Sequence, residues 1–315
     1  MNSNVITIRD AATGSTASIL PGSGFNCFSF KPVIAGVATE VLWAEPDFSA
    51  ASAPDLSGIP ILFPFGGRMT GGAFTFEGER YDINDAAIGD LNAMHGFVLS
   101  RPWRVTEQSE ARVTGEFYAS EDAPELVEKW PADFKISVAY EVAGSELRAE
   151  VVISNPDLRR LPFMFATHPY FQLDLGGGKP EEAHLTVPAA TYWELDETSK
   201  PTGMRLPVNE RNDLRDGPAL AGRKLNDVYS GLEPENGEFR CEVLDPISGR
   251  KTSQITSDEF TCCVVYTHQP RAAIAIEPYI GVPDGFRLEE TGISTRLMIL
   301  EPGETYATTI VIRLD

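Results

Sequence analysis

The chain is poor in histidine, cysteine and positive charge, and each shortage narrows its chemistry. Four cysteines occur, Cys27, Cys241, Cys262 and Cys263, with no CxxC pair, and two of them are adjacent inside the apolar run Cys262-Cys263-Val264-Val265-Tyr266. That pattern predicts buried free thiols rather than disulfides or zinc ligands. Lysine and arginine total 26 against 46 aspartates and glutamates, a formal charge of −20. Such a surface repels phosphate backbones and anionic lipid, so neither nucleic acid nor membrane is an expected partner. No stretch approaches the ~18 consecutive apolar residues that a membrane span needs. The segment Met1-Asn2-Ser3-Asn4-Val5-Ile6-Thr7 lacks a basic region followed by an apolar one, and a cytoplasmic location is expected.

Windows with a sustained helical period are also scarce. The best, around Ala123 to Trp130 and Leu56 to Ile59, are short and flanked by proline. What dominates instead is short runs of β-branched and aromatic residues between glycines, prolines and Asx residues. Phe74-Thr75-Phe76-Glu77-Gly78-Glu79-Arg80-Tyr81 alternates large and polar residues about a turn and predicts a hairpin. Further strands are expected at Phe134 to Val142, Leu147 to Ile153, Ala183 to Val187, Phe239 to Leu244, Cys262 to Tyr266, Ala272 to Ile276 and Thr305 to Arg313. With 42% apolar residues over 315 positions a sizeable core can form. The expected fold is all-β, a large antiparallel β-sandwich. No fixed-period repeat or linker-like shift in composition is present, and residues 1–315 are read as one domain. Gly176-Gly177-Gly178-Lys179-Pro180 reads as a surface loop.

Of only four histidines, two stand in unusual settings, Asn92-Ala93-Met94-His95-Gly96-Phe97 and Phe165-Ala166-Thr167-His168-Pro169-Tyr170-Phe171. Histidine changes charge near neutral pH and suits proton transfer, although a hydrogen-bonded turn or core histidine would satisfy either context alone. Gly58-Ile59-Pro60-Ile61-Leu62-Phe63-Pro64-Phe65-Gly66-Gly67-Arg68 delivers an arginine after a rigid apolar run. Its planar donors suit hydroxyl or carboxylate oxygens, and an ion pair is the alternative use. The apolar strand Ala273-Ile274-Ala275-Ile276 ends on Glu277, a carboxylate costly to bury without a partner or a task. Asp227, in Leu225-Asn226-Asp227-Val228-Tyr229, stands in a context that also suits local turn capping.

Together these segments resemble the aldose 1-epimerase (galactose mutarotase) family, in the same order and at similar separations. The first part of the resemblance is the Pro-Ile-Leu-Phe-Pro run leading to Arg68, continuing through Gly72 to Tyr81, His95-Gly96 and Pro102-Trp103. The second is Asn155 and then His168-Pro169-Tyr170-Phe171-Gln172-Leu173. The resemblance implies a β-sandwich of the galactose mutarotase type and an isomerase that interconverts sugar anomers. It implies that His168 is the general acid toward the ring oxygen and Glu277 the general base toward the C1 hydroxyl. His95 and Arg68 then position ring and hydroxyl oxygens, and Asp227 stands where the family has a carboxylate that holds sugar hydroxyls. Tyr170 is a further substrate-binding residue, and Phe171 is expected in the core.

Departures from the family pattern leave the sugar open. Glu277-Pro278-Tyr279-Ile280-Gly281-Val282-Pro283-Asp284 lacks the glutamine-rich form, and Arg68 follows Gly66-Gly67 where many relatives have asparagine. A free hexose is the expected substrate. The alternatives are a hexose phosphate, met by cations such as Arg68, Arg101, Arg271 or Arg287, and a non-catalytic sugar sensor on the same fold. A glycosidase is disfavoured because the matched pair is a histidine and a glutamate, not two carboxylates. No cofactor and no metal are implied, and the chain is expected to be a monomer or homodimer.

Overall fold

The computed structural model describes residues 5–83, 93–267 and 272–315. Two large antiparallel sheets face one another. One runs, strand by strand, Arg104–Gln108, Arg112–Tyr118, Lys135–Ala143, Glu146–Ser154, Thr305–Leu314, Lys251–Ser257, Glu238–Leu244 and His184–Thr186. The other runs Pro201–Pro207, Ala189–Leu195, Asn226–Leu232, Cys262–Thr267, Ala273–Ile280, Phe165–Thr167 and Ile61–Leu62, with Tyr170–Gln172 also paired to Ala273–Ile280. The sandwich expected from the strand-rich sequence is therefore found, and the predicted strands fall where these elements lie.

The first sheet shows the alternation of a surface layer. In Glu146–Ser154, Leu147, Val151 and Ile153 enter the core while Arg148 and Val152 are exposed. The second sheet is covered on both faces. Ile274, Ile276 and Ile280 of the strand Ala273–Ile280 join the main core, and Ala273, Ala275, Glu277 and Tyr279 face the other way, yet all eight residues are buried. The unbroken apolar run in the sequence is the signature of this two-sided burial, and the one charged residue on its second face is Glu277.

The hairpin forms as Ala73–Phe76 against Glu79–Asp82, with Glu77 and Gly78 both at positive φ in its two-residue turn. The two expected helices do not form as such. Ala123 to Trp130 holds only the 3-10 turn Pro124–Leu126, and Leu56 to Ile59 is irregular because Ile59 N–H donates to the Cys27 carbonyl and Gly58 takes a positive φ. The helix that does occur near the site, Gly285–Glu290, went unpredicted because six residues carry too little periodicity. All four cysteines are free and buried, as expected. Among the described residues, no helix is long and apolar enough to cross a membrane.

Candidate active site

The second face of the second sheet floors a cleft of about 290 Å³. Strand register builds that floor in two rows. Glu277 lies opposite Val264, Val264 opposite Val228 and Val228 opposite Trp193. In the next row Tyr170 lies opposite Ala275, Ala275 opposite Tyr266 and Tyr266 opposite Asn226. Side chains in register on one face are neighbours, so four strands deliver Glu277, Val264, Val228, Tyr170, Tyr266 and Asn226 to one cleft.

His168 reaches this floor through a break in pairing. The chain pairs with the Glu277 strand at Ala166, opposite Tyr279, leaves it, and pairs again at Tyr170, opposite Ala275. Residue 168 is thus set across from residue 277. Pro169 cannot donate to the ladder, but its carbonyl accepts from Ile276 N–H, and His168 N–H donates to the Pro60 carbonyl. His168 Nε2 stands 3.1 Å from Glu277 Oε1, and the Tyr279 hydroxyl donates to Glu277 Oε2 at 3.0 Å. The imidazole stacks on the Tyr170 ring, 4.8 Å between centroids and 20° between planes, while the Tyr170 hydroxyl donates to the Asp55 carbonyl.

Burial governs the electrostatics. Glu277 is 3% exposed, and loss of water pushes its carboxyl up to about 8, against the smaller opposing effect of the Tyr279 hydrogen bond. A neutral imidazole and a protonated carboxyl, or an imidazolium and a carboxylate, place one shared proton across the same 3.1 Å contact.

Arg68 and His95 arrive on a separate two-stranded ladder, Arg68–Met69 against Ala93–Met94. The ladder ends in a tight exchange: His95 N–H donates to the Gly67 carbonyl at 2.9 Å, and Gly67 N–H donates to His95 Nδ1 at 3.2 Å. A nitrogen that accepts from a backbone N–H carries no proton of its own, so the neutral ring bears its hydrogen on Nε2 and presents a donor. Burial lowers the His95 pKa to about 4, with Asp55 opposing and Arg68 adding to the shift. His95 has φ 65° and Gly96 φ 78°, and a Cβ on Gly96 would lie 2.2 Å from the Phe63 carbonyl oxygen. Glycine after His95 is thus a requirement of the turn. The His95 and His168 rings meet edge to face, with centroids 5.6 Å apart.

Of the six residues expected at the site, five line this cleft: Arg68, His95, His168, Tyr170 and Glu277. Asp227 does not. It lies within the strand Asn226–Leu232, opposite Val265, which belongs to the main core, so the two-residue period turns it to the other face. There Arg211 grips both its oxygens and Asn212 Nδ2 donates to one of them at 3.2 Å. Asn226 takes the cleft position instead, with its Nδ2 donating to Ser199 Oγ at 3.2 Å.

Asp55, Ser199, Tyr266 and Tyr279 also line the cleft and were not foreseen. Tyr279 was legible, being two residues beyond Glu277 on a strand. Asp55 sits in an irregular loop with no periodic signal. Two residues that carried the family resemblance are structural: Asn155 Nδ2 donates to the carbonyls of Arg159 and Leu300, and Trp103 Nε1 donates to the Val98 carbonyl.

The chain matches the family model for aldose 1-epimerase over residues 7–313. It is 22% identical to the uncharacterised Escherichia coli (strain K12) protein YphB over 281 residues, 86% of this chain and 88% of that one. Galactose mutarotase of Pongo abelii is 30% identical over 169 residues, 51% of this chain and 46% of the relative. The fold superimposes on a galactose mutarotase-like protein from Clostridium acetobutylicum with a TM-score of 0.86 and 20% identity, covering 98% of this chain and 95% of that one. With the family model spanning nearly every residue and the same fold beneath it, the chain belongs to the aldose 1-epimerase family of isomerases.

Proposed function

We propose that the protein interconverts the α and β anomers of a free hexose, with His168 and Glu277 as the acid and base. The observation that carries this reading is the buried 3.1 Å contact between His168 Nε2 and Glu277 Oε1 in the cleft. The two oxygens of a hemiacetal share one carbon, so the groups that serve them must themselves be neighbours.

In the forward step the Glu277 carboxylate takes the proton of the C1 hydroxyl while His168 Nε2–H protonates the ring oxygen. The C1–O5 bond breaks with its electron pair going to O5, and C1 becomes a carbonyl. Glu277 gains one proton from O1 as His168 gives one to O5, so the pair holds the same number throughout. Rotation about C1–C2 exposes the other carbonyl face, and closure with the roles reversed gives the other anomer. The Nε2–H of His95 and the Arg68 guanidinium suit hydroxyl oxygens as donors, with Asp55, Ser199 and Asn226 as further polar partners.

A free sugar is favoured over a sugar phosphate by the fate of the cations. Of those considered for a phosphate, Arg68 lines the cleft, Arg101 pairs with Glu125, Arg287 pairs with Asp284, and Arg271 lies outside the described residues. Polarimetry of freshly dissolved α-D-glucose and α-D-galactose tests the reading. Faster approach to an unchanged final rotation is expected, and no acceleration of either sugar, with hexose 6-phosphates accelerated instead, would move the assignment to phosphates.

A further inference from the structure

A separate pocket of about 70 Å³ lies one row further along the second sheet. Tyr279 lies opposite Cys262 and Cys262 opposite Ser230, so this row runs beside the one that holds Glu277, Val264, Val228 and Trp193. Ser230 and Cys262 floor the pocket, both buried, and none of its lining residues lines the first cleft. Two arginines reach it from different elements, Arg205 from the edge strand Pro201–Pro207 and Arg296 from the segment after the helix Gly285–Glu290. The Arg205 guanidinium lies 4.5 Å from the Trp193 ring centre and donates to the Ser294 carbonyl at 3.4 Å, so its planar fork is held at the pocket. Arg296 has φ 59°, a costly conformation for a residue of its kind.

Carboxylate partners are abundant in a chain with 46 acidic against 26 basic residues. Arg101, Arg104, Arg112, Arg160, Arg211 and Arg287 each hold one. Arg205 and Arg296 form no ion pair with a described residue, and among the described residues no aspartate or glutamate lines their pocket. Like charges gathered without a counter-charge repel, and an oxyanion that accepts from both reverses the sign. Ser230, Thr261 and Ser294 add hydroxyl groups to the lining. Space for roughly five water-sized groups is too small for a pyranose and matches a tetrahedral oxyanion.

We propose that this pocket binds phosphate, as the free ion or as the end of a monoester. The bound ion clamps the edge strand Pro201–Pro207 to the segment that carries Arg296. The site is separate from the His168–Glu277 cleft and does not depend on what that cleft turns over.

The test is calorimetric titration with inorganic phosphate and with glycerol 3-phosphate, against chloride at equal ionic strength, in the wild type, Arg205→Ala, Arg296→Ala and Arg205→Lys. Saturable binding at one site per chain is expected, weakened about tenfold or more in each alanine variant. Arg205→Lys, which keeps the charge and loses the fork, should weaken it less. Phosphate should also raise the thermal midpoint of the wild type by linkage, and raise that of the alanine variants less. Both arginines are exposed, so their substitution should leave the fold and free-hexose turnover unchanged. Tighter binding of inorganic phosphate would make the free ion the ligand, and tighter binding of glycerol 3-phosphate a monoester. No saturable binding of either, or binding and midpoint shift untouched in both alanine variants, would overturn the site. A raised KM for glucose 6-phosphate in Arg205→Ala, with no binding of inorganic phosphate, would assign the anion to a substrate and overturn it as a separate site.

Discussion

His168 Nε2 lies 3.1 Å from Glu277 Oε1, and both side chains are almost wholly buried. In the proposed mechanism the two groups share one proton, so the pair is expected to act as a unit. His168→Asn and Glu277→Gln should each lower kcat by roughly 10²–10⁴-fold, and the double variant should cost little more than either single one. Steady-state polarimetry of the three variants, with circular dichroism to check the fold, measures this. Fully additive losses would mean independent roles.

Burial raises Glu277 to about 8, and the sign of its effect on stability follows. A folded pKa above the unfolded value means that the native state binds the extra proton. The stabilisation is complete below the ordinary value of 4.5 and is lost as pH rises through about 8. Glu277→Gln removes that loss, so the inactive variant should melt about 2–5 °C higher than the wild type at pH 8 and show a smaller gain at pH 5. Thermal melts across this range check it. Wild-type kcat/KM should also fall as pH passes about 8, where the pair gives up its shared proton.

His95 moves the other way. Its pKa of about 4, lowered by burial, is below the unfolded 6.5, so its contribution to stability is present above 6.5 and is lost as pH falls toward 4. The ring should remain a neutral Nε2–H tautomer at pH 6, which nitrogen-detected NMR of the side chain would show. His95→Ala should raise KM more than it lowers kcat.

Asn226 and Asp227 are adjacent but face opposite ways. On a monosaccharide, Asn226→Ala should raise KM by about fivefold, the value of one hydrogen bond. Asp227→Asn should leave monosaccharide KM near that of the wild type while destabilising the chain by roughly 1–3 kcal/mol through the loosened Arg211 and Asn212 contacts. The opposite pattern would return Asp227 to the cleft.

Asp284, just beyond the strand that bears Glu277, ties this part of the chain to the ladder that bears Arg68. It is 2% exposed, accepts from Thr70 N–H at 2.9 Å and Thr70 Oγ at 2.7 Å, and receives Arg287 Nε. Its φ of 58° suits Asp or Asn far better than Ala. Asp284→Ala should cost roughly 3–5 kcal/mol, because it removes the partner of a charged network, and should raise KM by displacing Arg68. Asp284→Asn should be milder in both respects. Denaturant melts and KM values for the two variants check this.

Much of this molecule was legible in the chain. Alternating and unbroken apolar runs are local signals, so the strands and the two-sheet fold could be read without knowing what pairs with what. The scarcity of histidine and the placing of Glu277 at the end of an apolar run made His168 and Glu277 candidates, and the family resemblance implied their roles as acid and base. The orientation of Asp227 was not legible, because apolar residues lie on both sides of its strand, at Leu225 and Val228, and only pairing with the core-facing Val265 fixes which parity faces the cleft. Asp55 and Asp284 escaped for a different reason. The contacts that bring them to the site, Tyr170 for Asp55 and Thr70 for Asp284, are distant in sequence, and both sit in loops, where no period links a residue to its surroundings. Local pattern therefore determined the elements and marked the candidate pair, and tertiary register decided which neighbouring side chains share the cleft with them.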